Sequence, residues 1–538
     1  MAKHEEKKFA SSIKKLTSEE IGAEVKNLRD KLYTLRSQSV TEKVEDHSQF
    51  GITKRNIARL LTDASMLCIL VTSRVRLQMQ AERIVEIEGL PSPAPDDDPA
   101  AETFAAVELL VRRAQQQDAA FALTAQNKEV LAQICRAVDG MPLAIELAAA
   151  WLRTLAIDEV LSEIAHSADI LTSTMHDAPP RHRSLRAVFA SSWRMLAAEE
   201  QAVYAGAAIF RGGFDAGAAR AVVDATPATL ARLVDHSLLR RTADGRYRRH
   251  PLLLQFAVEQ LHGDPLHLAR TTRRHVAYFA HFLKLHTPAL YGAGQPDALN
   301  AVRRELDNIW QAWQLAGEQR AFSFFADTLD ALLLVFDIAG LIQVARDLCR
   351  LAGQQLAAVN PTSPAERIVL ARVQAMEGVF EFRVGNFARA RALTEEALDM
   401  LCDEQADPWV LGHAYIFLGG AYFGLGDLKR TLAEFHRALD AYTAADSAWG
   451  RATALGNIAE MHMVAGNEAA ALDYAQRAQV IAEPTGNAYL LVHNTYRLAV
   501  LLANAGEYAA AQRYQRASLD YAEQLDYTSG IGMATASL

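Results

Sequence analysis

Residues 414–441 read AYIFLGGAYFGLGDLKRTLAEFHRALDA, and this stretch decides the fold of the C-terminal half of the chain. An apolar helical segment, Ala414–Phe423, and an Ala-rich one, Thr431–Ala441, flank a short break around Gly426. Similar breaks recur at intervals of 41, 40 and 40 residues, around Gly385, Gly426, Gly466 and Gly506. One helix pair cannot bury its apolar face alone, so this period predicts a stack of helix pairs, an α-solenoid.

The repeat pattern of residues 365–538 resembles tetratricopeptide repeats of a 40-residue type, and Gly530–Ala534 is typical of the opening of one more repeat, truncated at the C-terminus. The resemblance implies a protein or peptide partner for the solenoid. Four tyrosines are candidates for a concave peptide groove, but we expect them to pack in the core or at its edges: Tyr442, Tyr508, Tyr514 and Tyr521. The preceding residues 263–364 are predicted to be a helical linker region without a clear period.

Residues 181–262 have the pattern of a winged-helix module. The expected helices lie around Val188–Leu196, Glu199–Ile209, Ala216–Val223 and Leu230–Asp235, and a hairpin, Leu238–Arg241 with Tyr247–Arg249, turns at Asp244-Gly245. Such modules bind DNA through a basic recognition helix. Here Ala228–Arg241 offers only three arginines beside the acidic Asp235. No sequence-specific DNA binding is therefore expected.

Residues 65–180 contain two apolar segments typical of strands, Met66–Val71 and Arg83–Ile87, followed by an acidic, Pro-rich loop and helices. Val71-Thr72-Ser73-Arg74 and Gly140-Met141-Pro142-Leu143 resemble the sensor strand and the Gly-Leu-Pro-Leu motif of STAND-class ATPases, in the branch of NB-ARC domains and bacterial regulators with tetratricopeptide repeats. In that resemblance, Arg74 corresponds to the arginine that contacts the terminal phosphate, and His250 corresponds to the histidine that senses the adenine nucleotide. It implies a truncated remnant of an α/β NTPase domain.

The chain lacks the residues that nucleotide chemistry needs. A phosphate-binding loop requires a Gly-Lys pair, and no Gly-Lys pair occurs in the sequence. Arg74, Pro142 and His250 are either relics of a nucleotide pocket or, as we favour, simply a charged strand end, a helix start and a histidine of the wing. We therefore expect no nucleotide and no other cofactor. The four widely separated cysteines show no metal-ligand spacing. Without a nucleophile–base pair or a metal cluster, the sequence predicts a protein that is not an enzyme.

Residues 1–64 are predicted to form a basic, two-helix antiparallel hairpin. Thr17 and Glu20 have the spacing of a capping box at a helix start. One apolar seam follows, at Ile21, Val25, Leu28, Leu32 and Leu35, and a second face lies within Ile52–Leu61. The outer faces carry unpaired cations. They fit either an ordinary solvated hairpin or a surface that binds phosphates.

Two motifs in this hairpin favour phosphate binding. Ser48–Leu60 resembles the second-helix signature of the bacterial large-subunit ribosomal protein L29 family, and Leu28–Arg36 resembles the core of its first helix. The resemblance implies ribosomal RNA and the large ribosomal subunit as partners of residues 1–64. It also implies phosphate contacts by Arg36, Lys54, Arg55 and Arg59. In the family the second helix runs on for another turn or two, whereas here Ser65-Met66 follows almost at once.

The balance of cations changes where that resemblance ends. Nine of the 12 lysines lie in the first 64 residues, which carry a net charge of +3, whereas residues 65–538 carry −12. No fold requires such a change, because lysine and arginine are nearly equivalent on a solvated surface. We interpret the break near Ala64 as a junction of two coding backgrounds. A natural fusion, an engineered joining and an assembly error would all produce it.

These features predict a mainly α protein, with a structural component of the large ribosomal subunit at its N-terminus fused to a catalytically dead regulator fragment. Two alternatives stay open: a STAND-derived signalling scaffold or transcriptional regulator fragment that binds a protein through its solenoid, and a chimeric reading frame without a joint function. No apolar stretch approaches the roughly 20 residues of a membrane span. We therefore expect a cytoplasmic protein without a membrane partner.

Overall fold

The structure is a computed structural model that describes residues 87–94, 104–117, 121–152, 154–166 and 185–536, together with the single positions 23, 27, 83 and 85. Apart from two of those single positions, the predicted hairpin of residues 1–64 lies outside the described residues, as does the predicted strand Met66–Val71. The described residues are mainly α-helical, and their only sheet has two strands. This confirms the predicted fold class.

The chain divides into two compact units. Unit 1 comprises residues 1–208 and 213–268, and unit 2 comprises residues 209–212 and 269–538. The first helices of unit 1 are α1 (Ala105–Gln117), α2 (Lys128–Ala137), α3 (Pro142–Trp151) and α4 (Ile157–His166). Their apolar faces form a core in which Leu110, Leu131, Ile145 and Val160 are fully buried.

The second part of unit 1 contains the four helices and the hairpin predicted for residues 181–262, followed by one further helix that was not predicted, Pro251–His262. They are α5 (Leu185–Arg194), α6 (Ala198–Gly206), α7 (Ala216–Val223), α8 (Pro227–Asp235), β1 (Arg240–Arg241), β2 (Tyr247–Arg248) and α9 (Pro251–His262). β1 and β2 pair antiparallel, with Arg240 opposite Arg248. Gly245 has φ of +83° at the turn between them, where a residue without a side chain is favoured. Phe214 bridges to Tyr247 and anchors the hairpin.

The predicted strand Arg83–Ile87 is not observed. At its three described positions the backbone is neither strand nor helix, and the side chains of Val85 and Ile87 are 82% and 88% exposed. The strand prediction is therefore wrong at these positions. Alternating apolar residues form a strand only where neighbouring strands cover them and complete the hydrogen-bond ladder. In the described part of the chain, no strand lies beside them.

Unit 2 consists of consecutive α-helices. They are α10 (Pro265–Leu290), α11 (Gln295–Arg304), α12 (Leu306–Glu318), α13 (Phe322–Ile338), α14 (Ile342–Ala357), α15 (Pro364–Arg383), α16 (Phe387–Asp403), α17 (Pro408–Gly424), α18 (Leu428–Ala444), α19 (Ala448–Val464), α20 (Glu468–Ala482), α21 (Ala488–Asn504), α22 (Tyr508–Gln524) and α23 (Thr528–Ala536). The first few residues of α10 belong to unit 1. From α15 onward, each helix packs against the next, as expected for a solenoid.

The periodic glycines end the first helix of each pair. Gly385, Gly426, Gly466 and Gly506 have φ between +75° and +88°. The next amide in each turn donates to the carbonyl five residues back, as in Asn467 to His462 at 2.8 Å, which satisfies the end of the helix. A Cβ at these four glycines would meet nothing within 4 Å, so the backbone conformation alone accounts for the glycine.

The stacked helix pairs begin before the predicted boundary at residue 365. Gly340, between α13 and α14, has φ of +69°, like the periodic glycines. Arg350 of α14 pairs with Glu381 of α15 at 2.7 Å, so these helices continue the stack. The 40-residue spacing of the glycines did not reveal the helix pair α13 and α14, because Gly340 and Gly385 are 45 residues apart.

Candidate functional sites

The turn before α3 is fixed by close backbone packing. Gly140 has φ of +62°, and a Cβ there would lie 2.0 Å from the Leu90 carbonyl oxygen. The Leu90 amide donates to the Gly140 carbonyl at 2.8 Å. Pro142 then occupies the first turn of α3, where its missing amide hydrogen leaves no hydrogen bond unmade.

His250 lies beside this turn. Its Nδ1 accepts a hydrogen bond from the Leu252 amide at 3.3 Å at the start of α9. Its Nε2 lies 3.9 Å from the Asp139 carboxylate. The structure therefore brings His250 to the turn that carries Pro142. The third predicted relic, Arg74, lies outside the described residues.

The environment of His250 favours the neutral imidazole. Burial lowers the pKa of His250, while the Asp139 carboxylate and the Val138 carbonyl act in the opposite direction. Within the chain, Nδ1 accepts a backbone hydrogen bond and Nε2 faces the Asp139 carboxylate. In this arrangement the imidazole connects α9 to the turn before α3.

The predicted RNA contacts cannot be placed on the structure. Arg36, Lys54, Arg55 and Arg59 all lie outside the described residues.

The candidate groove tyrosines do not share one surface. Tyr442 is fully buried, and its ring fits against Gly412 and Gly450, where a Cβ would come within 2.6 Å and 2.2 Å of ring atoms. Tyr514 and Tyr521 pack at the edges of core clusters, whereas Tyr508 is 73% exposed. The expected core and edge packing is thus observed for three of the four.

Unit 2 contains an aromatic cluster that the sequence analysis did not single out. The Tyr291 ring, at the end of α10, lies 5.4 Å from the Trp409 ring and 5.0 Å from the Trp449 ring. Trp449 stacks on His413 at 5.9 Å with an interplanar angle of 12°. The two tryptophans of this cluster could have been found from the sequence, because Trp409 and Trp449 belong to a series of aromatic residues, continued by Tyr489, at intervals of 40 residues.

Charged side chains lie close to these rings. Arg372 pairs with Asp330 at 2.7 Å, and the Tyr291 hydroxyl donates to the Asp330 backbone carbonyl at 3.0 Å. Farther along α13, Asp337 accepts hydrogen bonds from Arg383 and from the Tyr489 hydroxyl. These contacts fix the relative positions of helices that are far apart in sequence.

Comparison with known proteins separates the two ends of the chain. Residues 11–64 match the family of ribosomal L29 proteins. This confirms the resemblance drawn from Leu28–Arg36 and Ser48–Leu60. The match covers the segment of net positive charge and ends at the break in lysine usage.

A larger part of the chain is similar to bacterial regulators. An HTH-type transcriptional regulator of Mycobacterium bovis is 32% identical over 277 residues, which cover 49% of this chain and 29% of the regulator. An uncharacterised protein of Mycobacterium tuberculosis is 32% identical over 166 residues, which cover 31% of this chain and 40% of that protein. The chain thus spans less than half the length of these curated relatives.

Solved structures with helical repeats also align with this chain. A STAND protein with a tetratricopeptide repeat sensor from Pyrococcus horikoshii aligns over 94% of this chain and 77% of its own, at 14% identity and a TM-score of 0.39. A Rap protein in complex with competence and sporulation factor aligns over 52% of this chain and 71% of its own, at 14% identity and a TM-score of 0.36.

In the described part of the chain, no helix combines the length and the apolar character that crossing a bilayer requires.

Proposed function

We propose that the chain is a cytoplasmic, ribosome-associated protein whose N-terminal segment binds ribosomal RNA. The match of residues 11–64 to ribosomal L29 proteins carries this proposal. Arg36, Lys54, Arg55 and Arg59 supply the positive charge, because each phosphate that they neutralise releases condensed counterions. The segment is basic while the rest of the chain is acidic, so RNA contacts should concentrate in residues 1–64.

Co-sedimentation of the full chain with purified large ribosomal subunits tests this function over a series of salt concentrations. We expect binding that weakens with salt, and a double variant, Arg55→Glu with Arg59→Glu, that binds more weakly. Each lost phosphate contact should reduce the slope of log K against log salt by about 0.7 to 0.9.

The matched control is Lys429→Glu, which reverses an exposed cation of the solenoid and should leave binding unchanged. Failure of the unaltered chain to co-sediment at low salt would refute the proposed RNA binding. So would an equal loss of binding in the control.

As a second function, we propose that unit 2 binds a protein partner and that the regulator-like part has no catalytic activity. The specific observation is an open cleft of about 570 Å³ in the solenoid, walled by the aromatic cluster. The absence of a Gly-Lys pair for a phosphate loop supports a non-catalytic role. The contacts of His250 with the Leu252 amide and the Asp139 carboxylate support it as well, because they hold the ring within the chain.

Site-specific photo-crosslinking in cells tests partner binding. A photoreactive residue replaces Ala448, which lines the cleft, or in a matched control Val480, which is 71% exposed elsewhere on the solenoid. We expect a discrete crosslinked polypeptide from position 448 and none from position 480. The same adducts from both positions, or none from either, would contradict a partner site at the cleft.

A further inference from the structure

The cleft in unit 2 is built from helices that are distant in sequence. Its volume is about 570 Å³, within the range of roughly 300 to 1,000 Å³ that ligand sites occupy. The end of α10, one face of α13 and the first residues of α17 and α19 line it. Its charged and aromatic lining residues are Lys284, Tyr291, Asp327, Asp330, Trp409 and Trp449.

One wall of the cleft is aromatic and held in place. Tyr291 contacts both tryptophans edge-to-face, with ring centroids 5.4 Å and 5.0 Å apart, and its hydroxyl is bonded to the Asp330 carbonyl. Trp449 also stacks on the nearly parallel ring of His413. A wall of fixed aromatic rings attracts cations through the negative face of each ring.

The charged groups of the cleft favour the same class of ligand. Asp327 and Asp330 are three residues apart on α13, so both carboxylates lie on one face of the helix. Arg372 pairs with Asp330, and the Arg372 side chain is only 14% exposed. Asp327 instead pairs with Lys284 at 2.8 Å, and the two side chains are 36% and 64% exposed.

The pair of Asp327 and Lys284 is easily opened. An ion pair this exposed contributes little to stability, because water screens the charges and holding a long lysine side chain costs conformational entropy. The Lys284 ammonium therefore occupies a cation position at Asp327, in the cleft that the aromatic wall also lines, without being fixed there.

We propose that this cleft binds the cationic side chain of an arginine or lysine in a partner polypeptide, which displaces Lys284 from Asp327. This inference rests on the proposed partner-binding function of unit 2 and specifies its ligand chemistry. In the complex, the cation pairs with Asp327 while the aliphatic part of its side chain lies against Trp409 and Trp449. An anionic ligand held by Lys284 is the competing outcome.

The test uses small probes and the full chain labelled with 5-fluorotryptophan. Butylguanidinium and butylammonium represent the two cationic side chains, and pentanoate is the anionic control. Trp409→Phe and Trp449→Phe assign the two cleft resonances in ¹⁹F NMR spectra. We expect saturable shifts of both resonances with the cations and no shift with pentanoate.

Two substitutions should move affinity in opposite directions. Asp327→Asn removes the carboxylate and should weaken cation binding about tenfold, whereas Lys284→Met removes the competing amine and should strengthen it about threefold. The matched controls are Asp473→Asn and Lys429→Met, which change exposed charges elsewhere in the solenoid. A role of these two residues in stability alone would not produce opposite changes in affinity.

Pentanoate shifts that disappear in Lys284→Met would overturn the proposal in favour of an anion site. It also fails if the cations cause no saturable shift, or if neither Asp327→Asn nor Lys284→Met changes their affinity. The probes need no partner, so this failure is distinguishable from failure of the partner function. A crosslinked partner at Ala448 without cation binding would leave partner binding in place and refute only the ligand chemistry.

Discussion

His275 is a buried histidine in α10 that packs against aromatic rings. Its ring lies 4.7 Å from that of Phe279 and 5.4 Å from that of Phe210, and neither ring nitrogen has a hydrogen-bond partner among the described residues. Burial lowers the pKa of His275 to about 3. The folded chain therefore keeps this ring neutral at a pH where the unfolded chain protonates it.

The effect on stability follows from this difference. Above the unfolded pKa of about 6.5, both states are neutral and stability does not change with pH at this residue. As pH falls from about 6.5 towards 3, the unfolded state binds a proton that the folded state does not, and about 1.4 kcal/mol is lost per pH unit.

We predict that His275→Phe makes the chain less sensitive to acid. Between pH 7 and pH 5 the variant should lose about 2 kcal/mol less unfolding free energy than the unaltered chain, as measured by urea denaturation. The control is His262→Gln, at an exposed position, which should keep the original pH dependence. Identical pH profiles for His275→Phe and the unaltered chain would refute the argument.

Arg350 neutralises two buried carboxylates. Its guanidinium bonds to Glu381 at 2.7 Å and to Glu377 at 3.4 Å, and these two acids are 1% and 4% exposed. Removing one partner of such a pair leaves the other charge buried and uncompensated, which costs more than the pair itself contributes. Arg389 and Asn386 retain one contact each to the two acids.

Arg350→Met should therefore lower the free energy of unfolding by about 2 kcal/mol, less than for a wholly unpaired charge. Arg477→Met is the comparison, because Arg477 contacts groups within its own helix, the exposed Asp473 carboxylate at 3.4 Å and the Tyr474 ring at 5.0 Å, and it should cost under about 1 kcal/mol. Chemical denaturation of both variants distinguishes the two. Equal losses would show that the buried acids do not depend on Arg350.

Close helix packing in the solenoid depends on glycines within the helices, which are not among the periodic glycines of the turns. Gly412 in α17 contacts the Tyr442 ring from α18, and a Cβ at residue 412 would lie 2.6 Å from it. A fully buried ring cannot move away without disturbing its other neighbours, so overpacking costs about 1 to 3 kcal/mol. A Cβ at Gly532 in α23 would meet nothing within 4 Å.

The two glycines should respond oppositely to the same substitution. Gly412→Ala should lower the melting temperature, whereas Gly532→Ala should leave it unchanged or raise it, because alanine favours the helix by about 1 kcal/mol over glycine. Thermal unfolding monitored by circular dichroism gives both values. A neutral Gly412→Ala would mean that Tyr442 has room to shift.

The helices of the solenoid were predictable from the sequence, but its cleft was only partly so. Gly385 to Gly506 gave the helix breaks because each requires a left-handed backbone, a local property. Trp409 and Trp449 were also visible as a period of 40. Lys284 and Tyr291 were not predictable as their neighbours, because they come from a non-periodic helix more than 100 residues earlier in the sequence.

In the whole molecule, the break in lysine usage near Ala64 separates the L29-like segment from the regulator-like part. Two exposed apolar side chains, Val85 and Ile87, lie shortly after this break. The strand expected at Arg83–Ile87 does not form at the described positions, because no neighbouring strand in the described part of the chain completes a hydrogen-bond ladder there.

A few residues after Ile87, the chain is bonded to the helical part of unit 1. Leu90 bonds to Gly140, and Arg136 donates to the Pro93 carbonyl at 3.0 Å. Between Arg83 and residue 88 the described backbone has no regular structure, and the Arg83 side chain is exposed. Proteases need an accessible chain outside regular structure, which the described positions 83, 85 and 87 offer and the helices of unit 2 supply only by unfolding.

We therefore predict that limited trypsin digestion of the full chain cleaves after Arg83 at least about tenfold faster than after Arg437 or Arg477, which lie within solenoid helices. N-terminal sequencing and intact mass should identify a fragment that begins at Ile84 and retains the solenoid. Arg83→Gln should remove this fragment and leave other early cleavages unchanged. Early cuts within unit 2, at a rate equal to that after Arg83, would contradict the prediction, because the segment would then be as well protected as the stacked helices.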